Sequence, residues 1–283
     1  MPRIEQTAAI APQNIEGRPA PGLFWPCWTL TRREVVRFLR QRSRIIGALG
    51  TPLIFWLMVG GGLGKSFSVG GDAPDISYME FTFPGALAAI LLFTSIFSMI
   101  SIIDDRREGF MQGVLVAPVS RLAIVLGKLI GASVLAVAQA GVFMLLAPTA
   151  GISLGVANLL ATIAAMALVA VAVTGLGFWL AWLMESTQGF HAIMNVVLMP
   201  MLILSGAFFP LGGSSGIIRW ITYANPMTYA VSLLRHSIYL GRTEPVESVA
   251  GPLVALVVTA VFAAAMVGAS CRVASRETAK ALQ

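Results

Sequence analysis

The sequence predicts an all-α membrane protein with six transmembrane helices. Two observations lead to this fold class. Of the 283 residues, 57% are hydrophobic and 11% are charged, whereas an ordinary soluble domain carries about a quarter charged residues. The uncharged stretches are also long, and about 20 apolar residues suffice to cross a bilayer as a helix. Lipid is therefore expected to be the main solvent of this chain.

Six windows are long and apolar enough to cross a membrane, and each is predicted to form one transmembrane helix. They are residues 45–64, 81–103, 122–147, 158–184, 190–209 and 249–271. These windows define a transmembrane domain at residues 45–272, followed by a cytoplasmic tail at 273–283. Residues 1–27 mix charges with prolines around no apolar segment, so we expect a disordered cytoplasmic leader without a signal peptide.

Residues 28–44 are predicted to form an amphipathic helix at the membrane surface. At about 100° per residue, Trp28, Val35 and Leu39 share one face. The opposite face carries Arg33, Arg37, Arg40 and Arg44. The apolar face can enter the inner leaflet while the arginines meet anionic headgroups or an acidic cytosolic partner. The pattern is compatible with anchoring alone and with anchoring plus partner contact.

The distribution of Lys and Arg predicts the orientation. With six crossings, both termini lie on the same side of the membrane. Fourteen of the 19 Lys and Arg residues fall in segments on that side, four fall on the other side, and Lys128 lies within a helix. Basic residues concentrate on the cytoplasmic side of membrane proteins. We therefore expect a multi-pass protein of the plasma (inner) membrane with both termini in the cytoplasm.

The stretch Gly60–Ser66, "GGGLGKS", is similar to a phosphate-binding loop but is one residue too short for G-x-x-x-x-G-K-[ST]. The predicted orientation also puts it outside the cell, where there is no ATP. We interpret it as the end of the first transmembrane helix and expect no nucleotide site in this chain.

Residue types argue against several other functions. The two histidines, His191 and His236, are not part of a zinc or nucleophile motif, so we expect neither catalysis nor a metal site. Cys27 and Cys271 are both predicted on the cytoplasmic side, where thiols stay reduced. The formal charge of +6 follows from the bias toward the cytoplasmic side and does not indicate nucleic-acid binding.

The long loop predicted between the second and third crossings, residues 104–121, contains Glu108, Gly109, Leu115, Pro118, Val119 and Ser120. In these residues it resembles a motif of ABC-2 permeases, the membrane subunits of type 2 ABC exporters. Gln112 stands where the family has an acidic residue. The resemblance implies a coupling loop that contacts a separate ATPase, and a solvated turn is the alternative interpretation. The candidate contact residues are Asp105, Arg106, Arg107, Glu108, Gly109, Phe110, Gln112, Leu115 and Pro118.

A second resemblance to this family lies in residues 204–241. The matching residues are Ser205, Gly206, Phe208, Phe209, Pro210, Leu211, Trp220, Asn225, Pro226, Thr228, Tyr229 and Arg235. In the family this segment forms two short re-entrant helices before the last crossing, which implies a gate at residues 210–240. The candidate gate residues are Phe208, Phe209, Pro210, Asn225, Pro226, Tyr229 and Arg235. Arg235 is costly in lipid, so we expect it to face water, headgroups or a partner carbonyl, with interfacial snorkelling as the alternative.

The resemblance implies the permease half of an ATP-driven exporter, with no cofactor of its own because ATP and Mg are bound by the partner. The implied partners are two copies of a soluble ABC ATPase, a second permease protomer (identical or closely related) and membrane lipid. The cargo would be a drug, lipid or lipid-linked glycan. Candidate pathway residues, for which lipid contact or packing is the alternative role, are Phe55, Trp56, Phe93, Phe97, Phe178, Trp182 and Asn195.

Two other functions stay open at this point. One is an ion-coupled secondary transporter, which usually needs a carboxylate at mid-membrane, and the predicted helix centres contain none. The other is a structural or channel-like membrane protein that works without an ATPase. Gly127 and Gly131, at small-xxx-small spacing, allow close helix packing in any of these proteins.

Overall fold

The computed structural model describes residues 22–63, 77–109, 119–210, 216–241 and 248–281. Within these ranges the chain is helical and contains no strand, so the all-α prediction is confirmed. The described helices are α1 (Phe24–Arg40), α2 (Arg42–Leu63), α3 (Tyr78–Arg107), α4 (Arg121–Met144), α5 (Val156–Leu183), α6 (Thr187–Ile203), α7 (Gly216–Ala224), α8 (Pro226–Ile238) and α9 (Pro252–Ala281).

Four of the described helices are long and apolar enough to cross a membrane. They are α3, α4, α5 and the Pro252–Ser275 part of α9. The first and fifth predicted crossings correspond to shorter apolar helices, Ile45–Met58 and Thr187–Ile203. The fifth window does not remain helical to residue 209, because α6 ends at Ile203 and turns follow. The six-crossing count therefore stays a prediction.

The surface helix α1 starts and ends about four residues earlier than the sequence pattern indicated. It begins at Phe24 and runs through Pro26, because proline is tolerated in the first turn, where backbone N–H groups have no intrahelical acceptor. It ends at Arg40, since Gln41 leaves helical geometry (φ −97°, ψ 77°). Arg44 consequently belongs to α2.

Helix α3 is the centre of the bundle. Its apolar window is 89% buried, and it packs against α2, α4, α5 and α8. Helix α9 lies at the periphery, contacts mainly α5 and α8, and has a window only 22% buried. Exposed apolar side chains on α9 are what lipid contact requires. The bundle has two ends: the α1 end, where α3 stops and α4 begins, and the α8 end, where α3 starts.

Serine side chains define where two of the central helices begin. Ser77 Oγ accepts a hydrogen bond from the Glu80 N–H, and Ser120 Oγ accepts one from the Ala123 N–H. Such N-caps satisfy donors that the first helical turn leaves free. Ser120 thereby fixes where α4 begins. We call residues 108–120, which connect α3 to α4 in the sequence, the α3–α4 loop.

Two glycines let α1 lie directly against α4. A Cβ atom added to Gly127 would stand 2.7 Å from Leu30 Cβ and 3.0 Å from the Cys27 carbonyl oxygen, and one added to Gly131 would stand 3.0 Å from Glu34 Cβ. The Thr31 hydroxyl also donates to the Gly127 carbonyl, at 3.0 Å. The small-xxx-small spacing of this glycine pair therefore serves a helix contact, as predicted.

Helix α6 contains one wide turn. The Met199 N–H donates to the Met194 carbonyl, five residues back rather than four, so Met194–Leu198 is a π-helical turn. Pro200 follows directly and has no N–H to continue the ordinary pattern. Turns of this kind are frequent at functional sites.

Candidate functional site

The first predicted site segment lies at the α1 end, where α3 stops. Helix α3 ends with Asp104-Asp105-Arg106-Arg107, Glu108 follows, and Gly109 adopts a left-handed conformation with φ of 73°. A glycine in this conformation is a common way to terminate a helix. Phe110, Gln112, Leu115 and Pro118 fall outside the described residues, so their predicted contact role stays a prediction.

Asp105 lies in the interior rather than on the surface of this segment. Its side chain is 0% exposed. Arg33 of α1 binds it with two hydrogen bonds of 2.7 and 3.1 Å, and Arg37 of α1 donates to it as well. A bidentate arginine–carboxylate pair is among the stronger polar contacts in proteins. Asp105 therefore joins α1 to α3, and its side chain is not available on the surface for a partner.

Lys128 of α4 completes this contact from the other side. Its ammonium group donates to Glu34 at 2.7 Å, to Asp105 at 2.7 Å and to the Ser101 hydroxyl at 3.0 Å. Ser101 in turn donates to Glu34 at 2.8 Å. We use the term charge cluster for the six residues that meet here, which are Arg33, Glu34, Arg37, Ser101, Asp105 and Lys128.

The α1 arginines do not form a purely outward face. Arg33 and Arg37 are half-buried and turn toward α3, while Arg40 is exposed. The hydrogen bond to Asp105 raises the pKa of the Arg33 guanidinium above its ordinary value. Arg33 and Arg37 therefore pair with carboxylates of the same chain, and contact of the arginines with anionic headgroups or an acidic cytosolic partner stays a prediction. Trp28 and Leu39, on the predicted apolar face, are exposed.

Arg106 and Arg107 point to a different helix. Arg106 donates to the carbonyl oxygens of Ala181 (3.2 Å) and Trp182, and its guanidinium lies 5.0 Å from the centre of the Trp182 ring. Arg107 donates to the Glu185 carbonyl at 3.2 Å. These carbonyls lie at the C-terminal end of α5, where cations are favoured by the helix dipole. The arginines thus tie the end of α3 to the α5–α6 turn.

Glu108 is an exposed acid at the edge of this assembly. Its side chain is 64% exposed and lies 3.7 Å from Arg37. Gly109 is partly buried, and no described atom lies within 4 Å of a Cβ added to it. Of the predicted contact residues that the structure describes, Arg107 and Glu108 are exposed, whereas Asp105 and Arg106 are engaged within the bundle.

A cleft of about 200 Å³ lies between α2, α3 and α6. Three of the predicted pathway residues, Phe93, Phe97 and Asn195, line it, and the two phenylalanine rings stack with centroids 6.0 Å apart. Thr51 and His191 add polar groups, and Met194, in the π-helical turn, forms part of the wall. The lining is apolar with a few polar groups, as in small-molecule sites, and the volume is below the roughly 300–1,000 Å³ usual for such sites.

The other predicted pathway residues serve as packing or surface side chains. The indole N–H of Trp56 donates to the Met79 carbonyl at 3.0 Å, and its buried ring packs between other aromatic rings. Phe178 and Trp182 stack on each other in the core at 5.4 Å. Phe55 is exposed on α2 and contacts Phe208. In this conformation the structure brings only Phe93, Phe97 and Asn195 together at the cleft.

At the α8 end, irregular backbone follows α6 and is satisfied by side chains from other helices. The carbonyls of Gly206, Phe208 and Leu204 accept hydrogen bonds from Arg235, Tyr78 and Thr222, respectively. Gly85 of α3 lies so close that an added Cβ would stand 2.1 Å from the Ala207 carbonyl oxygen. Satisfied carbonyls are what non-helical backbone requires inside a membrane protein.

The Asn225-Pro226 motif connects α7 to α8. The Asn225 side chain caps α8 by accepting from the Met227 N–H at 3.0 Å, and it donates to the Met201 carbonyl at 2.6 Å. The hydroxyls of Thr228 and Tyr229 donate to carbonyls at the end of α7. The polar residues of this motif thus hold α6, α7 and α8 together. Phe208 is nearly buried, whereas Phe209 is exposed.

Arg235 is buried in the protein at 5% exposure. It donates to the Gly206 carbonyl at 3.4 Å, and its guanidinium lies 5.2 Å from the centre of the Phe81 ring. Among the alternatives considered for this residue, the structure agrees with the carbonyl partner and not with snorkelling to the surface.

The described residues were compared with the geometry that a metal site or a disulfide needs. In the part of the chain that the structure describes, no group of three or more His, Cys, Asp or Glu side chains is placed to hold a metal ion. Cys27 and Cys271 are both free.

Several long apolar helices, together with buried polar contacts that join helices, define a multi-pass membrane protein. Residues 26–239 match the ABC-2 type transporter family. Because this match covers most of the chain, the protein belongs to the ABC-2 type transporter family. Its domain is a membrane transport component rather than a catalytic one, and members of this family in general work with an ATPase subunit.

The chain is also similar in sequence to two curated proteins over most of their length. The chain is 30% identical over 221 residues to nodulation protein J of Rhizobium meliloti (strain 1021), covering 77% of this chain and 82% of that protein. It is 28% identical over 210 residues to the transport permease ycf38 of Cyanophora paradoxa, covering 74% and 72% of the two chains.

The charge cluster contains three residues that sequence reasoning missed as site residues, Glu34, Ser101 and Lys128. Lys128 is the single charged residue inside the window 122–147, and a charge in an apolar window usually has a partner. That signal was available in the sequence. The identity of its partners was not, because Glu34 and Asp105 lie 94 and 23 residues away.

Proposed function

We propose that this chain is the permease subunit of an ATP-driven exporter that moves an amphipathic or hydrophobic cargo out of the cytoplasm or the inner leaflet. It crosses the plasma (inner) membrane six times, with both termini in the cytoplasm. Residues 210–240 enter the membrane from outside as a re-entrant gate. Two copies, or this chain and a close relative, form the transport unit with two ATPase subunits, which bind ATP and Mg.

The observation that carries this proposal is the concentration of charge at the α1 end. Side chains from α1, α3 and α4 form the charge cluster at the base of the α3–α4 loop, and Glu108, at the start of that loop, is exposed. An exposed acid, backed by a fixed assembly of helices, suits a loop that receives force from a water-soluble partner.

Cargo would pass along the cleft between α2, α3 and α6. The stacked rings of Phe93 and Phe97 offer an apolar surface, and Asn195 and His191 offer hydrogen bonds. No acidic side chain lines the cleft among the described residues. This lining suits an uncharged or amphipathic cargo such as a drug, a lipid or a lipid-linked glycan.

Docking is tested by co-purification of the ATPase with Glu108→Arg and Gly109→Trp variants at matched membrane levels. Losing a charged contact at a desolvated interface costs about 2–5 kcal/mol, which weakens binding tens- to thousands-fold. Glu185→Arg, the same charge change on the neighbouring α5–α6 turn, is the control. Normal assembly and efflux in both loop variants would contradict a docking role for the loop. The purified chain alone should not hydrolyse ATP.

Orientation is tested by thiol labelling. In a variant with Cys27 and Cys271 replaced by serine, new cysteines at Ser68 and Ser214 should react with an impermeant reagent added to intact cells. Labelling that requires permeabilised cells would reverse the orientation and place the α3–α4 loop outside.

The ion-coupled alternative finds little support in the charge cluster. Asp105 is a buried carboxylate, but it stands at the third-last position of α3 and is paired with arginine and lysine. A coupling carboxylate is expected near mid-membrane. Export that persists without any ATPase subunit but follows a proton or sodium gradient would favour this alternative.

A further inference from the structure

We propose that Lys128 is a positioning residue that makes α1, α3 and α4 move as one unit during transport. This inference rests on the function proposed above. It concerns how force applied to the α3–α4 loop reaches the rest of the chain.

The ammonium group of Lys128 has all of its hydrogen-bonding capacity in use. It has three donors, and they are directed to Glu34 of α1, Asp105 of α3 and Ser101 of α3. The side chain is 1% exposed. One residue of α4 therefore contacts an acid on each of the two other helices at 2.7 Å, with little access for water to replace either contact.

The contact between Lys128 and Asp105 also lies at a particular place relative to the α3–α4 loop. Asp105 lies four residues before Gly109, where the chain leaves α3, and Lys128 lies seven residues after Arg121, where α4 begins. The Asp105–Lys128 pair thus joins the two stems of the loop at its base. A push on the loop then displaces both stems together instead of spreading them apart.

Glu34 extends the same unit to α1. Helix α1 already lies against α4 through Gly127 and Gly131. Glu34 of α1 adds a carboxylate that accepts a hydrogen bond from the Lys128 ammonium group. Separating any helix from this group leaves an uncompensated charge in a buried place, which is strongly unfavourable. The three helices are therefore expected to stay joined or to separate fully, with no stable intermediate position.

The test compares variants of Lys128 with a control in the same helix pair. Lys128→Met removes the buried cation that Glu34 and Asp105 share and leaves them only the half-buried Arg33 and Arg37, so this variant is expected to accumulate poorly. Lys128→Met combined with Glu34→Gln removes one charge of each sign and keeps Asp105 paired with Arg33 and Arg37. Lys128→Arg keeps the charge. The control is Gln139→Met, which breaks a buried hydrogen bond of 2.7 Å between Thr94 of α3 and Gln139 of α4 without involving α1.

Two quantities are measured for each variant. The first is hydrogen–deuterium exchange of the α1 amides in the purified chain, which needs no partner. In the double variant exchange should be at least about tenfold faster, and in Gln139→Met it should change less than about twofold. The second is cargo exported per ATP hydrolysed in the complex with the ATPase. This ratio should fall at least about tenfold in the double variant and recover to within about threefold in Lys128→Arg.

A double variant with an unchanged export ratio would overturn the proposal, because Lys128 would then only balance the charge of its buried surroundings. An equal loss in Gln139→Met would overturn it as well, since any polar α3–α4 contact would then suffice. If the unaltered chain shows no ATP-dependent export, the proposed function fails, and the α1 exchange still decides whether Lys128 holds the three helices together.

Discussion

The two ends of the helix bundle are held together by different chemistry. At the α1 end, charged side chains from separate helices pair with one another, as Lys128 does with Glu34 and Asp105. At the α8 end, polar side chains bind backbone carbonyls, as Asn225 does with Met201 and Arg235 does with Gly206. Ion pairs thus join α1, α3 and α4 at the first end, where Arg106 and Arg107 add bonds to carbonyls around the end of α5, whereas at the second end side-chain-to-carbonyl bonds hold the backbone around the end of α6.

This difference indicates what each end can tolerate. A buried ion pair is destabilised strongly when one partner is lost, because the other charge stays behind. Removing one neutral hydrogen-bond donor from a backbone carbonyl lowers the free energy of unfolding by less. The α1 end should therefore be sensitive to the removal of single charges, and the α8 end should respond in smaller steps.

The largest effect is expected for Asp105→Asn. The variant leaves Arg33, Arg37 and Lys128 close together with one buried acid fewer, so the free energy of unfolding should fall by about 3–5 kcal/mol. Denaturant titration of the purified chain in detergent measures it. Asp104→Asn, at the neighbouring and partly exposed acid, should cost less than about 1 kcal/mol. Equal costs would show that burial of Asp105 contributes nothing special.

The second effect concerns the contact between α1 and α4. Gly127→Ala should lower the free energy of unfolding by about 1–3 kcal/mol, because the added methyl group meets Leu30 and the Cys27 carbonyl. Gly141→Ala, in the same helix with open space around it, should be neutral or stabilising by up to about 1 kcal/mol. The same titration gives both values. A stabilising Gly127→Ala would mean that α1 does not lie against α4.

The third effect tests the α8 end. Asn225→Ala removes the cap of α8 and the bond to Met201, and should cost about 1–2 kcal/mol. Asn225→Asp keeps the capping oxygen but loses the amide donor, so it separates the two contributions. If the aspartate variant is as stable as the original chain, the bond to Met201 carries no stability.

The smallest effect is expected for Glu108→Gln. Its exposed carboxylate lies 3.7 Å from Arg37, and exposed ion pairs contribute about 0–1 kcal/mol. Stability in detergent should therefore change little and should not depend strongly on salt. A loss above about 2 kcal/mol would show that Glu108 belongs to the buried charge cluster and not to the accessible surface.

Sequence patterns predicted the helical class, because long apolar runs have local causes; the roles given to the α3–α4 loop and to the motif residues of the α8 end stay predictions. The patterns also indicated that the arginines of α1 share a face. They did not indicate that this face turns partly inward, since helical periodicity shows which residues lie together but not what they meet. Arg33 and Arg37 donate hydrogen bonds to Asp105 of α3, about 70 residues later in the sequence, and only the fold brings these side chains together.

The pathway residues illustrate the same limit. Seven apolar or amide side chains in predicted helices were equally plausible from composition. The structure brings three of them to one cleft and places Trp56, Phe178 and Trp182 in the packed interior. Nothing local distinguishes Phe93 from Phe178, because both are phenylalanines in long apolar helices. The distinction arises from which neighbour each helix acquires.

The wide turn in α6 affects which side chains of this helix face the cleft. One extra residue in Met194–Leu198 rotates everything before it by about 100° relative to everything after it. His191, Asn195 and Met199 all line the cleft with this residue present. Deleting a single residue of the turn would rotate the part of α6 that carries His191 by about 100° relative to the part that carries Met199, and so turn the imidazole away from the ring of Phe97, whose centroid lies 6.3 Å away.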